Sequence, residues 1–134
     1  MGERMGQVML QSEKYKYIEA LIPVPIHAKK RFARGYNQSE LMAEGIAQKL
    51  HLPILMDVVE KSSNNGSQTK RNRFLRWENA SEQFSLCKEI GSFKHIAIVD
   101  DVVTTGATLE AMVQLLRSRY PTLQISLLSF AIAK

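Results

Sequence analysis

Apolar and polar positions along this chain predict strands and helices that alternate. Short apolar runs bounded by polar, Gly or Pro residues predict strands over residues 17–26, 52–59, 94–99 and 123–132. Apolar residues at intervals of three and four predict helices over residues 1–16, 39–50 and 109–120. This order predicts an α/β protein, built on an open and mostly parallel sheet with helices on both faces.

Local signals place the ends of several elements. Pro23 and Pro25 have no N–H group for a strand ladder, so the first strand is expected to end near them. Asn37 or Ser39 can cap the helix that follows. Pro121 is expected to end the helix before the last strand.

The segment between the second and third predicted strands is polar and rich in cations. A Ser/Asn/Gly turn over residues 62–67 is followed by four cations around Phe74 and Trp77, within residues 69–79. A connection of this length predicts a lid or hairpin over a site, with residues 84–86 closing the hairpin. A surface hairpin anchored to the core by its two aromatic residues is the alternative, and both interpretations can hold together.

Length and composition favour one domain, residues 1–134, in the cytoplasm. Hydrophobic residues make up 45% of the chain and charged residues 23%, which is ordinary for a soluble protein. No apolar run is long enough to span a bilayer, the N-terminus lacks a signal peptide, and one cysteine cannot build a disulfide framework or a cysteine zinc site. The net charge of +5 suits an anionic ligand, and leaves polyphosphate and nucleic acid equally open.

The stretch IAIVDDVVTTGATL, residues 96–109, carries the strongest chemical signal. A buried strand is expected to end at the adjacent carboxylates Asp100 and Asp101, and a Thr/Gly loop then leads into a helix. A helix N-terminus is a natural phosphate site, whereas carboxylates accept hydrogen bonds from ribose hydroxyls. The combination predicts a sugar phosphate ligand. A helix cap would explain one Thr or one Asp, but not two consecutive Asp followed by three Thr.

A second basic stretch follows the first predicted strand. Residues 27–38, HAKKRFARGYNQ, hold four cations within six residues, and Gly35 allows a sharp turn. Cations at the end of a strand suit a pyrophosphate. A solvated basic loop competes with that interpretation on near-equal terms, and a nucleic-acid patch with Phe32 and Tyr36 as stacking residues is a third.

Three motifs together resemble the competence protein ComF (ComFC) family, an amidophosphoribosyltransferase-like branch of the type I phosphoribosyltransferase fold. The motif IVDDVVTTGATL, residues 98–109, is similar to the phosphoribosyl pyrophosphate (PRPP) signature that all type I phosphoribosyltransferases share. Residues 22–38, IPVPIHAKKRFARGYNQ, and residues 68–79, QTKRNRFLRWEN, resemble ComF-like proteins specifically.

The resemblance implies a role for each motif. Asp100 and Asp101 would be the catalytic carboxylates that hold the ribose 2′- and 3′-hydroxyls of PRPP. The 5′-phosphate would be bound by Thr104, Thr105, Gly106, Ala107 and Thr108. The pyrophosphate loop would contain His27, Lys29, Lys30, Arg31 and Arg34, and the flexible hood would contain Gln68, Arg73 and Arg76. Mg²⁺ would bind through ligand oxygens and water, with no direct protein ligand.

Two functions stay open. The first is a PRPP-dependent phosphoribosyltransferase whose acceptor the residues do not reveal. The second is a non-catalytic protein that binds a nucleotide or single-stranded DNA during DNA uptake, together with proteins of the competence machinery. Members of this family commonly carry an N-terminal four-cysteine zinc finger, which the single Cys87 cannot form, so that region is expected to be missing. A homodimer is neither indicated nor excluded.

Overall fold

The computed structural model describes residues 17–26, 35–61, 84–103 and 106–132. The elements, in chain order, are β1 (Ala20–Pro23), α1 (Gln38–Leu50), β2 (Val59–Lys61), β3 (Phe84–Leu86), β4 (His95–Val103), α2 (Ala107–Arg119) and β5 (Gln124–Ile132). The helix predicted over residues 1–16 lies outside the described residues.

A parallel sheet in the order β1–β4–β5 organises the fold. Ile22 of β1 is in register with Ile98 of β4, which is in register with Leu127 of β5. All three strands therefore end at the same edge of the sheet, the edge at which open α/β sheets bind their ligands. The parallel sheet confirms the predicted fold class.

The two faces of the sheet are covered by different helices because side chains alternate along each strand. Ile96 and Ile98 of β4 pack in one buried cluster with Met112 and Leu116 of α2. Ala97 and Val99 of β4 pack in a second cluster with α1, through residues such as Met42, Ala43 and Ile46. The prediction of helices on both faces is therefore confirmed.

The prediction of one continuous strand over residues 52–59 is wrong. Ile54 forms only an isolated parallel bridge to Leu21, although Leu55 N donates to Leu21 O over 2.8 Å and Leu21 N donates to Pro53 O over 3.0 Å. Asp57 adopts a left-handed conformation with φ of 63°, which interrupts the extended chain. The apolar run is therefore divided between this bridge and β2, which begins at Val59.

Strands β2 and β3 pair in antiparallel orientation, with Val59 opposite Leu86 and Lys61 opposite Phe84. The predicted closure of the hairpin by residues 84–86 is confirmed. The interior of the predicted lid, residues 62–83, lies outside the described residues. In the described ranges, no helix is both long and apolar enough to cross a membrane.

Candidate functional site

Asp100 and Asp101 lie within β4 rather than after it. The sequence predicted a strand that ends at Val99, but β4 continues to Val103 and Asp100 is in register with Ser129 of β5. The neighbouring strand β5 runs to Ile132, so pairing partners are available beyond the predicted end. The acidic pair therefore has a fixed backbone at the carboxyl end of the sheet.

The two carboxylates have different surroundings. Asp100 is buried, with 8% of its surface exposed, whereas Asp101 is half-buried. The pKa of Asp100 is raised to about 6, mainly by burial, and also by a side-chain hydrogen bond with Asp101 and by the negative charge of Asp101. The Asp101 N–H group, which donates to Asp100 Oδ1 over 2.9 Å, acts in the opposite direction. Asp100 is thus a carboxyl group whose ionisation depends on its neighbours near neutral pH.

The first turn of α1 contributes two buried polar residues that the sequence analysis treated only as caps. Asn37 caps α1, since its Oδ1 accepts a hydrogen bond from Ser39 N over 3.0 Å, and its Nδ2 donates to Val24 O over 3.0 Å. Among the effects on the pKa of Asp100, that of the Ser39 side chain is the smallest, and it lowers the pKa. One signal was present in the sequence: Asn37 and Ser39 follow the carboxyl end of β1, beside the strand that carries Asp100.

The start of α2 holds the described part of the predicted phosphate loop. Gly106 has φ of 81°, a left-handed conformation that favours glycine, and Glu110 N donates to Gly106 O over 2.9 Å. The helix begins at Ala107, two residues before the predicted start, so Ala107 and Thr108 belong to its first turn rather than to a loop. Gly106 has no side chain with which to cap the helix, and the first turn carries one carboxylate, Glu110. Thr104 and Thr105 lie outside the described residues.

A cleft of about 270 Å³ lies at the carboxyl edge of the sheet. It lies beside β1, on the side opposite to β4. Its lining combines apolar residues with Asn37, Glu40, Asp57, Glu60 and Lys61. Asn37, which lines the cleft, is also the cap of α1. The carboxylates of this lining make it a poor site for an anion, which favours the neighbouring α2 start as the phosphate position.

The structure describes the residues that flank the predicted pyrophosphate loop and hood, but not the predicted residues of either segment. The residues outside the described ranges include those of the pyrophosphate loop, His27, Lys29, Lys30, Arg31 and Arg34. They also include those of the hood, Gln68, Arg73 and Arg76. Ile26 and Lys61, after which these two segments begin, both line the cleft of about 270 Å³. Gly35, which follows the first segment, has φ of 77°, as expected for the predicted sharp turn.

Several known proteins are similar in sequence to this chain over most of its length. Competence protein F of Haemophilus influenzae is 34% identical over 109 residues, 80% of this chain and 48% of that protein. DNA utilization protein YhgH of Escherichia coli (strain K12) is 32% identical over 98 residues, 73% of this chain and 43% of that protein. Competence protein ComFC of Bacillus subtilis is 30% identical over 89 residues, 66% of this chain and 34% of that protein.

The chain therefore spans about half the length, or less, of the curated relatives it matches. The family described as "Phosphoribosyl transferase domain" matches residues 37–132, from the cap of α1 to the end of β5. That match includes the acidic pair of β4 and the start of α2. The chain belongs to the phosphoribosyl transferase domain family, among the homologues of competence protein F and ComFC.

Proposed function

We propose that this protein binds PRPP and transfers its phosphoribosyl group to a nitrogen nucleophile, with release of pyrophosphate. The observation that carries the proposal is the position of Asp100 and Asp101 at the carboxyl end of β4, directly before the Gly106 turn into α2. A hydroxyl acceptor and a helix N-terminus joined by a short connection match the two ends of a ribose 5-phosphate.

Each part of PRPP has a proposed partner in the chain. Asp100 and Asp101 accept hydrogen bonds from the ribose 2′- and 3′-hydroxyls, and the first turn of α2, with Gly106, Ala107 and Thr108, binds the 5′-phosphate. The α2 start is the better phosphate position because the neighbouring cleft carries Glu40, Asp57 and Glu60. Thr104 and Thr105 complete the phosphate loop in this proposal.

The proposed reaction is a substitution at the anomeric carbon of the ribose. The bond from C1 to the pyrophosphate oxygen breaks, a bond from C1 to the acceptor nitrogen forms, and that nitrogen loses a proton. Positive charge develops on the ribose ring as pyrophosphate leaves, so the carboxylates of Asp100 and Asp101 stabilise the transition state electrostatically. A buried Asp100 strengthens this effect because less water screens its charge.

Mg²⁺ fits this proposal as a cation held by the ligand. Within the described ranges, no cluster of three or more His, Cys, Asp or Glu residues could hold a metal ion. Mg²⁺ prefers oxygen ligands and retains several waters, so oxygens of PRPP and water would supply its ligands, while Asp100 and Asp101 would hold the ribose hydroxyls. When bound, the ion neutralises charge on the departing pyrophosphate.

The cationic segments are the proposed partners of the pyrophosphate. The pyrophosphate loop contributes His27, Lys29, Lys30, Arg31 and Arg34, and the hood contributes Gln68, Arg73 and Arg76. Their cations would form charge-assisted hydrogen bonds with the pyrophosphate oxygens.

A role in DNA uptake or DNA use is proposed from the relatives, whose names are competence protein and DNA utilization protein. The net charge of +5 suits a second candidate of the same biology equally well, a cytoplasmic protein that binds single-stranded DNA or a nucleotide without turnover. The two candidates differ in salt dependence. DNA binding through several phosphates weakens steeply as salt rises, and a Mg²⁺-dependent PRPP site is much less sensitive.

Calorimetric titration of PRPP, with and without Mg²⁺, tests the proposal. The wild type is expected to bind saturably with Mg²⁺, and the double variant Asp100→Asn/Asp101→Asn is expected to lose binding. Glu44→Gln, on the exposed side of α1, is the matched control for loss of a carboxylate and is expected to bind as the wild type does. Absence of binding at about 1 mM PRPP, a free energy of about −4 kcal/mol, would exclude the PRPP site in this chain.

A further inference from the structure

The cleft of about 270 Å³ lies close to the strand that carries the acidic pair. Pro23 and Pro25 line it, on either side of Val24. The Val24 N–H group donates to Val99 O over 2.9 Å, and Val99 immediately precedes Asp100. Since neighbouring strands lie about 5 Å apart, the cleft is about one strand spacing from β4. A group bound in the cleft would therefore lie beside a ribose held by the acidic pair.

Apolar residues from three segments of the chain form part of the cleft. They come from β1, from the segment that bridges to it and from β2: Ile22, Leu55 and Val59. All three belong to, or pack against, the buried cluster on the α2 face of the sheet, so this part of the lining is held by the core. Pockets for small molecules typically measure about 300–1,000 Å³. The cleft is close to the lower end of that range, which favours a single ring system over a whole nucleotide.

The charged part of the lining is acidic, although the chain as a whole carries a net charge of +5. It comprises one ammonium group, Lys61, and three carboxylates, Glu40, Asp57 and Glu60. At separations of a few ångströms a carboxylate repels a bound anion, whereas it accepts hydrogen bonds from N–H groups. The cleft therefore disfavours a ligand that carries a carboxylate and favours one that carries an amino group.

A buried amide adds a hydrogen-bond donor to this lining. Asn37 lines the cleft with 3% of its surface exposed. Two hydrogen bonds of 3.0 Å fix its orientation, since Oδ1 accepts from Ser39 N and Nδ2 donates to Val24 O. Nδ2 carries two N–H donors, and within the described ranges one of them has an acceptor. The other is left for an acceptor atom of a ligand, such as the ring nitrogen of a heterocycle.

We propose that this cleft binds the acceptor of the phosphoribosyl group, and that the acceptor is a nitrogen heterocycle with an amino group and without a carboxylate. This inference rests on the proposed function. The carboxylates of the cleft accept hydrogen bonds from the amino group, and the Asn37 amide donates to a ring nitrogen. In the transfer step another ring nitrogen forms a bond to C1 of the ribose, and the bond from C1 to the pyrophosphate oxygen breaks. The proton of the attacking nitrogen passes to a carboxylate of the cleft.

The experiment uses two pairs of compounds that differ in one substituent. Adenine is compared with purine-6-carboxylate, and cytosine with the pyrimidine that carries a carboxylate in place of the amino group. Calorimetry measures binding of each compound to the full chain, and release of pyrophosphate from PRPP with Mg²⁺ measures transfer. In each pair the amino compound is expected to bind at least about tenfold more tightly. The amino compound of at least one pair is expected to release pyrophosphate, and neither carboxylate is expected to do so.

A variant without the three carboxylates tests the cause of this preference. Glu40→Gln/Asp57→Asn/Glu60→Gln keeps the shape of each side chain, and asparagine tolerates the left-handed φ of 63° at position 57. The preference for the amino compounds should fall at least about tenfold in this variant, whereas PRPP binding with Mg²⁺ should not weaken. Glu44→Gln, on the exposed side of α1, is the matched control and should keep the wild-type preference.

Equal or tighter binding of the carboxylated compounds would overturn the proposal, and so would absence of binding by both amino compounds. An unchanged preference in the triple variant, shown to be folded by circular dichroism, would also overturn it. The wild type separates this inference from the proposed function. If PRPP and the amino compounds bound without release of pyrophosphate, the acceptor role would be refuted and the PRPP site would remain. If the amino compounds bound and PRPP did not, the proposed function and the acceptor role would both be refuted.

Discussion

Replacement of Asp100 by Asn is expected to make the protein more stable at neutral pH while abolishing PRPP binding. The reason is the burial of this carboxylate beside Asp101, which raises its pKa from 3.8 to about 6. Between these pH values the folded protein binds more protons than the unfolded chain, so the free energy of unfolding decreases as pH rises through this window. The penalty is absent below pH 3.8 and complete above pH 6.

The magnitude follows from the two pKa values. At about 1.4 kcal/mol per pKa unit, the difference corresponds to about 3 kcal/mol, and residual solvent screening makes this an upper limit. Asn has the shape of Asp without its charge, and its Oδ1 can still accept from Asp101 N. Asp100→Asn is therefore expected to raise the free energy of unfolding by about 1–3 kcal/mol at pH 7.5, and by close to zero at pH 4.

Urea unfolding, followed by circular dichroism at pH 4 and pH 7.5, measures this difference for the wild type and the variant. Glu44→Gln removes a carboxylate from an exposed position of α1 and serves as the control, with an expected change within about 0.5 kcal/mol at both pH values. A destabilised Asp100→Asn at pH 7.5, or a gain of equal size at both pH values, would refute the reasoning. Greater stability together with lost binding is the pattern expected of a carboxylate retained for function.

Three further predictions address ligand binding, the cap of α1 and the turn into α2. PRPP affinity should increase from pH 5 to pH 7 as Asp100 ionises, and calorimetry that finds no change over this range would contradict the proposed ribose contact. Asn37→Ala should destabilise the fold by about 1–3 kcal/mol in urea, because it removes the cap and leaves Val24 O without its donor; a loss below about 0.5 kcal/mol would contradict this. Gly106→Ala places alanine at φ of 81°, and its control Gly91→Ala places alanine at φ of 85°, so each variant should lose about 1 kcal/mol of stability. Calorimetry should show lost PRPP binding for Gly106→Ala and unchanged binding for Gly91→Ala.

The segment over residues 52–59 shows why the sequence alone misjudged one strand. Its apolar residues are typical of a strand, and residues 53–55 do lie beside β1. The interruption comes from Asp57, whose left-handed conformation no hydrophobic pattern reports. The same limit applied to β4, where the acidic pair indicated a strand end, although β5 offers pairing partners as far as Ile132. A strand ends where its partner ends, and the partner is known only after the chain has folded.

The sequence by itself determined the order of strands and helices, the two apolar faces of the sheet, and the acidic pair before a glycine turn, because these depend on local spacing and on residue type. Only the tertiary structure decided the ionisation of Asp100. The α1 cap at Asn37 could be predicted from the sequence, but the hydrogen bond from Asn37 Nδ2 to Val24 O could not, because it requires α1 to be held at the end of β1. Burial and long-range hydrogen bonds set the pKa of Asp100, and both arise from packing between segments distant in sequence.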